Sequence, residues 1–139
     1  MNEENRASEA KIASIPDAEL DVMRAIWAIG EPTVVGEIHR VMQKERKCTK
    51  PAVHILVDRL EQKGFVKVER IEKPVAYKLV TALVGEADYA TDAARGLIGR
   101  LFHGSWKGLI ASLADSGDIS AADLAEIERI IGKSAPEDK

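Results

Sequence analysis

Apolar residues recur at helical spacing as far as residue 64, alternate with polar ones from 65 to 80, and return to helical spacing from 87 onward. The sharpest stretch is 49–64, where Val53, Leu56, Val57 and Leu60 fall at i, i+3, i+4 and i+7 and form one apolar stripe. Its other face carries Pro51, His54, Ile55, Asp58 and Gln62. Thr49 is suited to cap the amino end, and Gly64 to take a left-handed backbone at the carboxyl end. Beyond it Val66 and Val68 alternate with Lys67 and Glu69, Glu72-Lys73-Pro74 turns the chain, and Tyr77 and Leu79 alternate with Ala76 and Lys78. Strands over 65–71 and 75–80 are therefore expected.

Upstream, Leu20, Val22, Met23, Ile26 and Trp27 predict a helix over 18–29, with Asp17 as N-cap, Glu19 adding negative charge in the first turn and Gly30 as the stop. Glu31-Pro32 is a turn, 33–35 a brief strand, and 36–45 a second helix through Ile38, Val41 and Met42. A basic connection, 44–48, leads to the third helix. Helix, short strand, helix, basic turn, capped helix and basic-tipped hairpin is the order of a winged helix-turn-helix.

Past a boundary near 81–86 only helical patterns remain. Ala87, Ala90, Ala94, Leu97 and Leu101 predict a long helix with small residues on its inner face, broken by His103-Gly104. Ser105 caps a helix striped by Trp106, Leu109, Ile110 and Leu113, and 115–118 is a loop. Ser120 and Asp123 form a capping box for a last helix, whose Leu124, Ile127, Ile130 and Ile131 face inward before Gly132 ends it. The expected fold is mainly α with a small β wing. A leader (1–14), a winged-helix domain (15–82), a three-helix domain (83–133) and a tail (134–139) are expected. Three amphipathic helices in about 55 residues do not bury their apolar faces alone. A second copy of the chain is the expected partner, held through Leu97, Leu101, Trp106, Leu109, Ile110, Leu113, Leu124 and Ile127.

The chain has 139 residues, 45% hydrophobic and 31% charged, which is a globular rather than a disordered composition. Its net charge of −3 hides a division. From 33 to 80 there are eleven Lys and Arg against six Asp and Glu; from 83 to 139 there are six against ten. The basic excess coincides with the capped helix and hairpin, as in a phosphate-facing domain joined to an acidic one. No apolar run approaches the roughly 20 residues of a membrane helix, and the polar start is unlike a signal peptide, so a cytoplasmic protein without membrane insertion is expected.

One cysteine, Cys48, excludes an internal disulfide. Beside basic neighbours it is either a redox-sensitive thiol or an inert small residue. His39, His54 and His103 have no metal-ligand spacing around them, and no metal or cofactor is expected. His39 and His103 read as surface or boundary positions, Trp27 and Trp106 as core. No glycine-rich phosphate loop, nucleophile–base pairing or paired carboxylates argue for an enzyme. The expected partner is double-stranded DNA, met by Lys44, Arg46, Lys47, Thr49, Lys50, Pro51, His54, Ile55, Asp58, Arg59 and Lys73. His54 is either a base or phosphate contact or a solvated polar residue. Asp58 either repels phosphate or accepts from a cytosine amino group.

The segment Ile15-Pro16-Asp17-Ala18-Glu19-Leu20, with Met23, Trp27 and Gly30-Glu31-Pro32-Thr33, resembles the opening of the penicillinase-repressor family (BlaI/MecI/CopY type). So does Leu101-Phe102-His103-Gly104-Ser105 with the Ile119-Ser120 ending that closes on Leu124, Glu128 and Ile131. The resemblance covers nearly the whole chain. It implies a dimeric winged-helix repressor of a dyad-symmetric operator, released when a membrane sensor protease cuts near Leu101-Phe102. The chain departs from the family at Thr49-Lys50-Pro51-Ala52, where Ser-Pro-Lys-Thr is common. It departs again at Lys73-Pro74, where a Gly-Arg is usual, and at Leu101, where an Asn is usual. The stretch 56–64 alone also looks like the multiple-antibiotic-resistance type of winged helix, which implies a ligand-responsive regulator as an alternative; a protein–protein adaptor is another. The tail lacks the cysteines of copper-responsive members.

Overall fold

The computed structural model describes residues 14–134. The expected leader and tail lie outside the described residues apart from their inner ends, 14 and 134. The elements are α1 (Asp17–Ile29), β1 (Thr33–Val34), α2 (Val35–Met42), α3 (Lys50–Gln62), β2 (Val66–Ile71), β3 (Tyr77–Ala82), α4 (Glu86–Leu101), α5 (Trp106–Asp115) and α6 (Ala121–Ser134). The strands form one antiparallel sheet in the order β1-β3-β2.

α1 begins one residue earlier than its pattern predicts. Pro16, not Asp17, holds the N-cap position, extended and without a side-chain cap bond, and its carbonyl accepts from Leu20 N at 2.9 Å. Proline fixes the backbone there and has no N–H to satisfy, so Asp17 and Glu19 are left to favour the positive end of the helix dipole. Gly30 closes the helix at φ 82°. Val35 is not in the strand: Val34 is the extended N-cap and Val35 opens α2 as a core residue. α2 ends at Met42 rather than 45, and turns bonded to Val41 and Met42 lead out of it.

At α3 the expected caps are present. Thr49 Oγ1 accepts from Ala52 N at 3.2 Å. At the other end Phe65 N donates to Leu60 O at 2.9 Å and Gly64 N to Glu61 O at 3.1 Å, with Gly64 at φ 84°, a paired closure that requires the left-handed residue. The chain thus turns directly into β2. β3 starts two residues later than predicted and runs to Ala82. Val66 pairs with Ala82 and Val68 with Val80, so the even-numbered residues face the core. Val80 is fully buried, whereas Tyr77 is 45% exposed and Leu79 half-buried.

Val22 and Met23 of α1, Ile38 of α2, and Val53, Val57 and Leu60 of α3 are completely buried with Val66 and Val80. Each such side chain contributes about 1.5–3 kcal/mol relative to exposure. Trp27 is half-buried and donates from Nε1 to Val84 O at 2.9 Å. Its ring lies 6.1 Å from that of Tyr89, which also meets Phe65 edge-on at 5.8 Å. The Tyr89 hydroxyl accepts from Ile15 N at 3.0 Å. The first turns of α4 therefore belong to this core through Tyr89 and Ala93.

Among the described residues the chain divides into two compact units, 14–93 and 94–134, with the division inside α4. Ala87, Ala90, Ala94, Leu97 and Leu101, expected on the inner face of α4, are exposed. In the second unit Ser105 Oγ accepts from Gly108 N at 3.1 Å, opening α5. Ser120 and Asp123 exchange bonds of 3.0 and 3.1 Å to each other's backbone N–H, completing the capping box. α6 continues through Gly132 to Ser134. Among the described residues of this unit no side chain is buried. Leu109, Ile110, Leu113, Leu124 and Ile127 are half-buried, while Leu97, Leu101, Trp106, Ile130 and Ile131 are exposed. Trp106 is thus not core in the single chain, nor are Ile130 and Ile131 turned inward. Among the described residues no helix is long and apolar enough to cross a membrane.

Candidate nucleic-acid interface

α3 presents three stripes. Val53, Val57 and Leu60 face the core. His54, Asp58 and Glu61 are partly covered on one flank. Pro51, Ile55, Arg59 and Gln62 are exposed along the outside. Ile55 is 53% exposed, and on a helix whose inner face is complete it has no folding role. An outward row that combines an aliphatic group, a guanidinium and an amide offers what base edges in a major groove require: a surface for thymine methyls and donors for guanine and adenine.

The approach to α3 is fixed from α2. His39 Nε2 lies 2.8 Å from Cys48 O, and Gln43 brackets the same residue, its Oε1 accepting from Cys48 N and its Nε2 donating to Cys48 O, both at 3.2 Å. Thr49 then caps α3. This clamp was not read from the sequence, although His39 and Gln43 at i, i+4 place both side chains on one face. Within the connection Lys44 and Lys47 are exposed and have no ion-pair partner among the described residues. The same holds for Lys50, Arg59 and Lys73. The Lys50 ammonium rests beside the first turn of α2, 3.7 Å from where a Cβ at Gly36 would lie.

Two of the expected DNA contacts are engaged inside the protein. Arg46 Nε donates to Asp21 Oδ2 at 2.6 Å, which turns Arg46 toward α1 and raises its pKa, first through that hydrogen bond and then through the charge of Asp21. Asp58 Oδ1 lies 3.5 Å from Lys78 Nζ, so its charge meets the hairpin. His54, on the same flank, has its pKa lowered chiefly by burial and then by the positive charge of Lys78, with Asp58 opposing and Lys50 adding to the effect. Folding therefore favours the neutral imidazole.

Cys48 is a half-buried free thiol. Among the described residues no group of His, Cys, Asp and Glu is arranged to hold a metal ion. An open groove of about 240 Å³ lies between α1 and α2, with Ala25, Ala28, Val41 and Met42 as its floor. At its rim Arg24 pairs with Glu45 at 3.1 Å, and Asp21 with Arg46. It is smaller than ordinary ligand pockets, and these four charges already satisfy one another.

Three helices, a three-stranded antiparallel sheet and an exposed helix face beside a basic-tipped hairpin define a winged helix. The Aeropyrum pernix ORC1 protein, solved in complex with DNA, shares the fold at TM-score 0.53 and 16% identity over 67% of this chain; the chain spans 28% of that protein's length. Residues 15–133 match the penicillinase repressor family, and the chain belongs to it. That family is one of repressors rather than enzymes. The penicillinase repressor of Bacillus licheniformis is 22% identical over 121 residues, 87% of this chain and 91% of that protein. An uncharacterised 16.5 kDa protein from the ptsI 3′ region of Latilactobacillus sakei is 28% identical over 122 residues, covering 87% of this chain and 80% of that one. A solution structure of the monomeric form of B. licheniformis BlaI with the blaP half-operator aligns over 56% of this chain and 90% of that one, at 26% identity and TM-score 0.45.

Proposed function

We propose that this protein is a dimeric transcriptional repressor that binds a dyad-symmetric operator in duplex DNA. The observation that carries the reading is the outward stripe of α3, with Ile55 and Arg59 free of the core and, at both of its flanks, lysines without an ion-pair partner among the described residues: Lys44, Lys47 and Lys50 before it, Lys73 on the hairpin tip. Arg59, Ile55 and Pro51 read base edges, His54 lies at the border of the groove, and the lysines hold phosphates. Thr49 positions the helix through its cap.

Residues 83–133 join two chains. Leu97, Leu101 and Trp106 are exposed in the single chain, and Leu109, Ile110, Leu113, Leu124 and Ile127 are only half-buried, which is the condition of helices awaiting a second copy. Linking two reading heads raises operator affinity through effective concentration. A cut at Leu101-Phe102 by a membrane sensor protease would remove that gain. The bond lies where α4 ends, Leu101 is 61% exposed, and Phe102 N still bonds Ile98 O at 2.9 Å, so the last turn must open for cleavage.

Selection of duplexes from a random pool by the full-length protein tests this reading. Palindromic sites should emerge, with half-sites spaced by about 34 Å or a multiple and two chains bound per duplex. Their affinity should fall linearly with the logarithm of salt concentration. A monomer by light scattering at micromolar concentration, or a pool without sequence preference, would overturn it.

A further inference from the structure

The inner face of the β2–β3 hairpin changes character along its length. Val66 opposite Ala82 and Val68 opposite Val80 lie on the core-facing side. The next pair on that face is Arg70 opposite Lys78. Two like charges directly across a strand pair repel. Each instead meets a carboxylate of α3. Arg70 donates from both guanidinium ends to Glu61, at 3.2 and 3.4 Å, and Lys78 Nζ lies 3.5 Å from Asp58 Oδ1. Asp58 and Glu61 stand at i, i+3 on one flank of the helix, so the spacing of the acids along α3 matches the spacing of the bases across the hairpin.

Where apolar contact stops, charge takes over. Among the described residues these two ion pairs are the only ones joining the hairpin to α3. Ile71 is half-buried, and from Glu72 to Tyr77 every residue is exposed. The outer hairpin, with Lys73 at its tip, therefore has little apolar hold on the rest of the fold.

We propose that Asp58 and Glu61 are positioning residues, bracing the wing through Lys78 and Arg70 at the separation that lets Lys73 and the outward stripe of α3 engage one duplex together. The proposal rests on the DNA-binding reading above. It gives the two acids on a DNA-facing helix a task other than base contact, and it withholds Arg70 and Lys78 from the phosphate-binding set. Partly exposed ion pairs are individually weak, so the brace is soft: added salt screens it and loosens the wing while the core ladder stays intact.

Full-length wild type is compared with an acid-neutralised double variant, Asp58→Asn with Glu61→Gln. A charge-reversed variant, Asp58→Lys with Lys78→Asp and Glu61→Arg with Arg70→Glu, keeps the wild-type net charge. Without DNA, amide exchange at Arg70, Ile71 and Lys78 at low salt should quicken about fivefold or more in the neutralised protein and return toward wild type in the reversed one. The amides of Val68 and Val80 should hold in all three, which certifies the fold; if the fourfold reversal fails that check, Glu61→Arg with Arg70→Glu alone serves. With DNA, the affinity ratio between the duplex selected by wild type and a random duplex should fall about tenfold in the neutralised protein and recover to within about threefold on reversal. Unchanged exchange in the neutralised protein would overturn the brace. So would a gain on both duplexes at an unchanged ratio, because it would show that the acids merely repel phosphate. If wild type selects no duplex, the DNA reading fails and the exchange result still decides the brace.

Discussion

Glu19 Oε1 accepts from Lys63 Nζ at 2.6 Å, joining the first turn of α1 to the residue that caps α3. The Glu19 side chain is 3% exposed and that of Lys63 is 41% exposed, so a carboxylate in the core is matched by an ammonium that reaches in from the surface. Lys63→Met should destabilise the protein by about 1–3 kcal/mol, because the carboxylate is left without its partner; the exposure of Lys63 keeps the loss at the lower end for such pairs. Glu19→Met with Lys63→Met should recover most of it. Urea midpoints measure both, and equal losses in the single and double variants would contradict the account.

His54 should give stability and DNA affinity opposite dependences on pH. Its folded-state pKa lies below the ordinary value of about 6.5, so folding favours the neutral ring. That contribution is complete above about pH 6.5 and is lost as the pH falls toward the folded-state value. DNA phosphates favour the charged ring, so operator affinity should rise over the same interval, by at most about tenfold for a coupling of one pKa unit. Thermal melts and fluorescence anisotropy from pH 7.5 to 5.5, with His54→Gln as the reference, separate the two slopes. A variant that keeps both slopes would remove His54 from this role.

Three basic residues near α3 should behave differently when replaced by alanine. Arg59→Ala should relax sequence preference at a cost of about 1–3 kcal/mol on the preferred duplex. Lys47→Ala should weaken all duplexes alike and lower the salt slope by about 1. Arg46→Ala should leave the slope as it is, because its guanidinium is held by Asp21. A lowered slope in the Arg46 variant would show that DNA draws the side chain away from α1.

The α3 helix with its two caps was legible in the sequence because its determinants are local: Thr49, the apolar stripe and Gly64 lie within 16 consecutive positions. The inward parity of β3 was not legible. Tyr77, Leu79 and Val80 are all strand formers, and only the register against Val66 and Val68 chooses which of them is buried. Val35 was ambiguous for a similar reason, since β-branched residues favour strands and tertiary burial placed it in a helix. Lys44, Lys47 and Lys73 are exposed and without an ion-pair partner among the described residues, as their place in a connection and a turn leads one to expect. The engagement of Arg46 and Asp58 was not legible, since their partners Asp21 and Lys78 stand 25 and 20 residues away.

The outward stripe of α3 shares no side chain with the packed interior, with the clamp on Cys48 or with the charges along the hairpin. Pro51, Ile55, Arg59 and Gln62 therefore form a surface that is rewritable while the scaffold stays constant. A combinatorial library confined to those four positions would sample new target sequences within a population of proteins that still fold.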